Sequence, residues 1–243
     1  MKRVFILMIL FPLLSLGQET NKKLLNMVEL TVKMNHQQEF NDGMQKWKDC
    51  YLSNKGTDTW NVWNRMQGQS GVVAVTYTMD KWAEMDEGQT EADKACMSIF
   101  KNDVFPHIEN MNFNLSWTMP EYSRTASDST SVVWVTFFRT NNSTDFMDVV
   151  KDVSGTYKNE KGQPLGVWYD FVGGGMDSPD YMVATPYKNF SQLDEPFDAP
   201  WSVYEKAHGK EKMEQMRSKF RSSVDDAWSY LYKLNPKLSH QKE

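Results

Sequence analysis

The clearest feature of the sequence is a stretch of alternating apolar and polar residues that gives way to a helical stripe. Apolar side chains alternate with polar ones from Val28 to Met34, and this period of two predicts a β-strand. Apolar residues then recur in steps of four, three and four, which keeps them on one face of a helix; they are Phe40, Met44, Trp47 and Tyr51. The segment therefore predicts a strand followed by a helix.

The second half of the chain repeats this plan. A segment rich in Val, Trp and Phe begins at Ser131, and a stripe with the same steps follows at Phe146, Val150, Val153 and Tyr157. Residues 61–87 and 166–195 also correspond, because each range holds two strand patterns around a glycine-containing turn, with Trp63 matched to Trp168. Each unit is thus predicted to contain a strand, a helix and a β-hairpin, and the chain to contain an internal repeat.

Each unit ends in a predicted long helix. The first opens with the capping pair Thr90 and Asp93, and Pro106 should kink or divide it. The second is predicted to cover residues 209–234, with a core stripe of Met213, Met216, Phe220, Val224, Ala227 and Leu231. Residues 112–119 fit either a fourth strand or the end of the first helix.

The amino-terminal sequence has the layout of a secretory signal peptide. Lys2 and Arg3 precede an apolar run at residues 4–14, which Pro12 interrupts and which is shorter than the roughly 20 residues of a membrane-spanning helix. We therefore expect cleavage near Gly17, a periplasmic or secreted protein, and a mature chain without a transmembrane segment. The predicted organisation is a signal peptide at 1–17, a first unit at 18–119, a polar linker at 120–130 and a second unit at 131–243.

The order strand, helix, hairpin and helix, with room for a last strand, resembles the dimeric α/β-barrel superfamily of ferredoxin-like domains. The resemblance covers residues 27–236 and implies an α+β fold in which two tandem βαββα(β) units form one pseudo-dimeric α/β barrel. The superfamily includes cofactor-free monooxygenases, haem-degrading enzymes, chlorite-dismutase-like haem proteins and isomerases, and the fold does not select among them. The inward faces of the strands must therefore indicate the function.

Six residues are predicted to line the barrel interior and to contact a ligand. If Val28, Leu30 and Val32 pack beneath the helices, the alternate positions of that strand face inward. By this alternation, and by position in the repeat, the predicted ligand-binding residues are Glu29, Trp63, Arg65, Trp134, Trp168 and Asp170. Aromatic walls with a few polar groups are typical of small-molecule pockets. In the alternative interpretation Arg65 pairs with Glu29 or Asp170 across a filled barrel, or faces solvent.

The sequence predicts no cofactor and no metal. Haem is the alternative that the resemblance raises, with His107 and His208 as candidate helical ligands beside His36 and His240. A lone histidine on a helix is more often a surface group than a ligand, and the four histidines lack the paired spacing of a zinc site.

Charge and cysteine content narrow the function further. The formal net charge is −5, from 27 basic and 32 acidic residues spread along the chain, which argues against nucleic acid as a partner. The two cysteines, Cys50 and Cys96, fit either a disulfide bond in an exported protein or two buried free thiols.

The sequence thus favours an exported protein that binds a small apolar or aromatic molecule inside the barrel. One alternative is a non-enzymatic envelope or secreted interaction scaffold. The other is an enzyme resembling cofactor-free monooxygenases or isomerases, in which Arg65 polarises an oxygen and Glu29 or Asp170 handles a proton. The sequence predicts neither an oligomeric state nor whether the protein is an enzyme.

Overall fold

Eight antiparallel strands form a closed barrel with helices on its outside. The computed structural model describes residues 22–125 and 129–241, so the predicted signal peptide lies outside the described residues. The strands are β1 (Leu24–Val32), β2 (Asn61–Arg65), β3 (Val72–Met79), β4 (Ile108–Thr118), β5 (Val132–Thr140), β6 (Val167–Phe171), β7 (Tyr181–Tyr187) and β8 (Val224–Leu234). The helices are α1 (Gln37–Ser53), α2 (Glu91–Ile99), α3 (Ser143–Lys161), α4 (Pro200–His208) and α5 (Lys210–Ser223).

The strand order around the barrel is β1-β3-β2-β8-β5-β7-β6-β4. The first half of the chain therefore contributes β4-β1-β3-β2, and the second half contributes β8-β5-β7-β6, which is the same order. Two seams join the halves, β2 with β8 and β4 with β6, and each seam contains three residue pairs. The barrel expected from the sequence is present, whereas its origin by tandem duplication stays a prediction.

Two strands occupy positions where the sequence suggested helix. Residues 112–119, which were ambiguous, belong almost entirely to β4, since the helical path that begins with α2 ends in short turns at Phe100–Val104 and Phe105–His107. The prediction of one helix to residue 234 is wrong, because α5 ends at Ser223 and β8 follows directly. Pairing of β8 with both β5 and β2 satisfies its backbone on two sides and overrides the helical spacing of its apolar residues.

The helical stripes pack on the outer face of the barrel, as predicted. In the first half Phe40, Met44 and Tyr51 are buried against Leu30 and Val32 of β1. In the second half the buried stripe residues are Phe146, Val150, Val153 and Tyr157. The predicted linker begins with a short helical turn at Pro120–Tyr122 that packs beneath α3. No helix in the described ranges is both long and apolar enough to cross a bilayer.

The carboxyl-terminal segment after β8 returns to the first half of the chain. Leu238 is buried in the core between α1 and the sheet. The Trp60 indole N–H donates to the Leu238 carbonyl at 2.8 Å, and the Val62 amide donates to the Ser239 hydroxyl at 2.9 Å. His240 forms an antiparallel bridge with Trp60. The segment therefore completes the first core and reaches the mouth of the barrel.

Cys50 of α1 and Cys96 of α2 form a disulfide bond, so the structure contains the first of the two alternatives left open by the sequence. The bond joins residues 46 positions apart. Cys96 is fully buried in the same core as Phe40 and Met44. The disulfide therefore ties the two outer helices of the first half together.

Two helical glycines offer a matched test of helix packing. A Cβ added at Gly43 in α1 would lie 1.9 Å from the Asp103 carbonyl oxygen, whereas one added at Gly155 in α3 would meet nothing within 4 Å. We expect Gly43→Ala to lower the free energy of unfolding by about 1–3 kcal/mol because backbone must move. Gly155→Ala should raise it by roughly 0.5–1 kcal/mol because alanine favours helix. Urea unfolding measures both, and equal effects of the two substitutions would contradict the close helix approach.

A second prediction concerns the contribution of the disulfide to stability. Removing it in the double variant Cys50→Ala/Cys96→Ala should lower the free energy of unfolding by about 2–4 kcal/mol, since the unfolded chain regains the freedom of the closed loop. A reducing agent should destabilise the wild-type protein by a similar amount and leave the double variant unchanged. Detection of two titratable thiols in the oxidised wild-type protein would show that the bond is absent.

Candidate ligand cavity

The inner face of the barrel follows from the alternation of side chains along β1. Leu30 and Val32 pack beneath the helices, so Leu25, Met27 and Glu29 face the interior. Residues directly opposite in antiparallel strands share a face, which extends this assignment around the barrel. The inner face thus includes Ala74 opposite Glu29, Trp63 opposite Ala74, and Tyr232 opposite Arg65.

One end of the interior is a cavity of about 520 Å³. Strands of both halves of the chain contribute its apolar lining: Leu25, Met27, Trp63, Ala74, Val133, Val135, Met182 and Ala184. Thr76 and Thr78 of β3, together with Tyr169 of β6, add hydroxyl groups. Trp60, His240 and Gln241 also line it, so the returning carboxyl-terminal segment borders the cavity.

The other end of the interior is filled by aromatic rings, and we call it the aromatic end; its rings are Phe137, Phe171, Trp228 and Tyr230. Phe137 stacks on Trp228 with ring centroids 5.6 Å apart. The Arg65 guanidinium lies over the Tyr230 ring at 4.2 Å, a cation–π contact. The aromatic end therefore closes the barrel behind the cavity.

Tyr232, Glu29 and Arg65 connect the cavity to the aromatic end. Tyr232 lines the cavity, and its hydroxyl donates to Glu29 Oε1 at 2.7 Å. Arg65 Nη1 lies 3.9 Å from the same carboxylate oxygen, and only 8% of the Arg65 side chain is exposed. Burial and the adjacent Glu29 carboxylate raise the pKa of the Tyr232 hydroxyl. The hydroxyl therefore stays protonated and donates to Glu29 at neutral pH.

The six predicted site residues divide into two groups. Glu29, Trp63 and Arg65 lie on the inner face, as predicted, although only Trp63 lines the cavity itself. The pairing of Arg65 with Glu29 matches the alternative interpretation of these charges. Whether any of the six contacts a ligand stays a prediction.

The inward placement of Trp134, Trp168 and Asp170 is wrong. Trp134 is 41% exposed on the outer face of β5, and Trp168 stacks on Phe138 in the core beneath α3. Asp170 is exposed beside a glycine loop outside the barrel. The cause is a misalignment of the two units, by three residues at β5 and by one residue at β6. In a strand, a slip by an odd number of residues moves every side chain to the opposite face.

Several lining residues were missed for the same reason. With the face corrected, Val133 and Val135 take the place of Trp134, and Tyr169 takes that of Trp168. Tyr232 was not predicted because its segment, now β8, was predicted to be helical. A further signal was available in β4, where Asn110, Asn112 and Asn114 alternate and lie opposite the inward residues of β1. That alternation indicates a strand with a polar inner face.

The described residues that line the cavity include no Asp, Glu, Lys or Arg. Tyr169 is partly buried by surface area, yet its hydroxyl lies deep in the protein, so the accessible part of the side chain faces the cavity. Burial raises the pKa of this hydroxyl to about 12. Trp63 Nε1 donates to Thr76 Oγ1 at 3.0 Å, which fixes the indole against the wall. The cavity is therefore largely apolar, with neutral hydrogen-bonding groups.

The histidines do not fit a haem held in the barrel by a helical ligand. Haem iron needs an axial ligand such as histidine. His36 and His107 hold each other through their Nδ1 atoms at 2.9 Å, and His208 Nε2 lies 2.9 Å from Thr156 Oγ1. None of these three lines the cavity. His240 does line it, but at a β-bridge where its ring packs against Trp60 at 5.4 Å.

Comparison with known proteins finds solved structures with a similar fold. No protein-family model matches the sequence, and no curated protein is similar to it in sequence. A monooxygenase candidate from Lactobacillus acidophilus NCFM has a TM-score of 0.52 at 9% identity, over 90% of this chain and 98% of that one. Chlorite dismutase from Candidatus Nitrospira defluvii, in complex with imidazole, has a TM-score of 0.53 at 7% identity, over 88% and 92%.

An anthrone oxidase-like protein has a TM-score of 0.51 at 11% identity, over 89% of this chain and 92% of that one. At such low identities these similarities show the fold alone. The chain therefore shares its overall fold with these proteins, and the closed α+β barrel agrees with the expectation from the sequence.

The hydrogen bond between Tyr232 and Glu29 can be tested against an exposed counterpart. Tyr232→Phe should lower the free energy of unfolding by about 1–3 kcal/mol, because it removes a buried hydrogen bond to a carboxylate. Tyr77→Phe removes the exposed bond from Asn26 to the Tyr77 hydroxyl and should cost less than about 0.5 kcal/mol. Urea denaturation compares the two variants. A similarly small loss of unfolding free energy in both variants would mean that no strong hydrogen bond between Tyr232 and Glu29 connects the cavity to the aromatic end.

Proposed function

We propose that the protein binds a small, uncharged apolar or aromatic molecule in the cavity at the open end of the barrel. The observation that carries this proposal is the cavity itself, with about 520 Å³ of space enclosed by Met27, Trp63, Val135 and Met182. Ligand sites are concave, mostly apolar, and typically about 300–1,000 Å³ in volume, with few polar groups. The volume of the cavity lies within this range, and most of its exposed lining surface is apolar.

The charge of the lining supports an uncharged ligand. Moving an ion out of water into an apolar site costs much free energy unless an opposite charge or several hydrogen bonds compensate it. The described lining offers aromatic rings, aliphatic groups and hydroxyls, but no acidic or basic side chain apart from His240 at the bridge with Trp60. A neutral molecule avoids this cost.

Binding, not catalysis, is the activity that the geometry favours. In the enzyme hypothesis drawn from the sequence, Arg65 polarises an oxygen of the substrate, and Glu29 or Asp170 handles a proton. Arg65 and Glu29 are engaged with each other and with Tyr230 and Tyr232, and they do not line the cavity. Asp170 lies outside the barrel. The names of the structural neighbours point to oxygenase and dismutase chemistry, but those names describe the neighbours.

Export of the mature chain is part of the proposal. The pattern of residues 1–17 supports it, and so does the disulfide between Cys50 and Cys96, since disulfides persist in oxidising compartments. Mass spectrometry of the protein from its native host measures the mature amino terminus. A start near Gln18 is expected, and an intact Met1 on the purified protein would contradict export by cleavage.

The cavity is tested by blocking it. Ala184 lies on the inner face of β7 and lines the cavity, whereas the next residue, Thr185, lies on the outer face opposite Trp134. The uncharged dye N-phenyl-naphthylamine, which becomes fluorescent in apolar surroundings, should bind the wild-type protein. Ala184→Phe should weaken that binding at least about tenfold because the new ring occupies the cavity. Thr185→Phe adds the same ring outside and should leave dye binding unchanged.

Two results would contradict the proposal. One is equal dye affinity in the wild-type protein and Ala184→Phe, which would place the dye elsewhere. The other is a loss of binding in Thr185→Phe that matches the loss in Ala184→Phe, which would point to the outer face. Circular dichroism and unfolding curves establish that both variants are folded.

A further inference from the structure

The cavity combines two unlike walls. The second half of the chain contributes the apolar side chains Val133, Val135, Met182, Ala184 and Pro186 from β5 and β7. Across the cavity, β3 of the first half contributes Thr76 and Thr78. Tyr169 of β6 is the large polar residue on the otherwise apolar side. A ligand that fills the cavity thus contacts mostly apolar side chains of β5 and β7, and hydroxyl groups of β3 and β6.

Most polar groups beside the cavity already have hydrogen-bond partners. The Tyr232 hydroxyl donates to Glu29, and Thr76 accepts from the Trp63 indole. The Tyr77 hydroxyl accepts from the Asn26 amide at 2.7 Å, and Asn61 accepts from Gln241. These groups hold the wall in place and have less capacity left for a ligand.

The Tyr169 hydroxyl is different, because it makes no hydrogen bond to any of the described residues. The backbone of Tyr169 is held on both sides, since Tyr169 pairs with Met182 of β7 and with Thr118 of β4. Because Tyr169 lines the cavity, a ligand or water in the cavity can supply that bond. The cavity therefore offers a ligand one hydroxyl that no described side chain or backbone group occupies.

The chemical character of the Tyr169 hydroxyl limits what it can recognise. Because burial raises its pKa to about 12, it remains a neutral O–H group throughout the physiological range. It can donate one hydrogen bond to an oxygen of the ligand. A carboxylate would be a stronger acceptor, but the described lining has no Lys or Arg to offset the desolvation of an anion, and its one histidine, His240, lies at the bridge with Trp60.

We propose that the ligand is a neutral aromatic or alicyclic molecule bearing a carbonyl or ether-type oxygen, and that the Tyr169 hydroxyl donates a hydrogen bond to that oxygen. The proposal rests on the proposed function, because it assigns the ligand class of the same cavity. Trp63 and Met182 contact the carbon skeleton, and Tyr169 selects for the oxygen. Apolar molecules without an oxygen still enter but bind more weakly, and carboxylates are excluded.

Three probes of similar shape test this specificity: naphthalene, acetylnaphthalene and naphthoate, each competing with N-phenyl-naphthylamine for the protein. In the wild-type protein acetylnaphthalene should compete about fivefold better than in Tyr169→Phe, the size expected for one neutral hydrogen bond. Naphthalene should compete equally in both proteins. Naphthoate should compete at least about tenfold more weakly than acetylnaphthalene in the wild-type protein because its charge is not offset.

Tyr187→Phe is the matched control. Tyr187 lies on β7 with its side chain away from the cavity, and its hydroxyl is also partly buried. This variant should keep the wild-type preference for acetylnaphthalene. Tyr169→Phe should also unfold at the same urea concentration as the wild-type protein or a higher one, since the hydroxyl that it removes has no partner among the described residues.

The outcomes separate this proposal from the proposed function. If naphthalene displaces the dye but acetylnaphthalene shows the same affinity for wild-type protein and Tyr169→Phe, Tyr169 does not select the oxygen, and the cavity remains a binding site. A marked loss of stability in Tyr169→Phe would likewise assign the hydroxyl a structural bond. If no probe displaces the dye, or if Ala184→Phe still binds it, the cavity is not the site and both proposals fail.

Discussion

Closure of the barrel is the constraint on which the rest of the structure depends. The two seams between the halves contain only three residue pairs each, yet without them each half would be an open sheet with an unpaired edge and an exposed inner face. Closing both seams places Trp63 beside Leu234 and Tyr169 beside Thr118. The cavity therefore exists only in the assembled barrel, because both halves contribute to its wall.

The interior is filled unevenly, and this unevenness gives the protein its candidate site. At the aromatic end, Phe137 stacks on Trp228 and meets Tyr230 edge-on, and the Tyr230 ring covers the Arg65 guanidinium. At the other end smaller side chains such as Ala74 and Ala184 face each other across open space. Tyr232 lies between the two regions, and its bond to Glu29 fixes the floor of the cavity. A rigid floor and an open mouth are suited to holding a small molecule.

The carboxyl-terminal segment links the cavity to the stability of the first half. Leu238 fills part of the core beneath α1, while His240 and Gln241 border the cavity a few residues later. The Trp60 side chain contacts both regions, since it donates to the Leu238 carbonyl and packs against His240. Displacing this segment would therefore open the mouth and expose part of the core at the same time.

Local patterns in the sequence predict a helix or strand well where residues within that element determine its structure. The stripe from Phe40 to Tyr51 and the alternation around Glu29 depend on residues within one element, and both predictions agree with the structure. Pairing between distant strands decides the rest. The apolar residues of β8 fit a helix as well as a strand, and only contact with β5 and β2 selects the strand.

Alignment of the two halves also required the structure. Strands β1 and β5 begin at Leu24 and Val132 and are equally long, so Glu29 corresponds to Phe137 and not to Trp134. No local feature reveals this register, because Trp134 and Phe137 are equally apolar. Because of this misalignment, three residues that lie outside the interior were predicted to face inward, and Tyr169, next to Trp168, was not predicted as a lining residue.

The most direct test of the account is a crystal structure of the wild-type protein soaked with acetylnaphthalene. We expect electron density for the probe inside the barrel, between Trp63 and Met182, with its oxygen within hydrogen-bond distance of the Tyr169 hydroxyl. Density for the probe only on the outer helices or strands, with the cavity collapsed or filled by side chains, would contradict it.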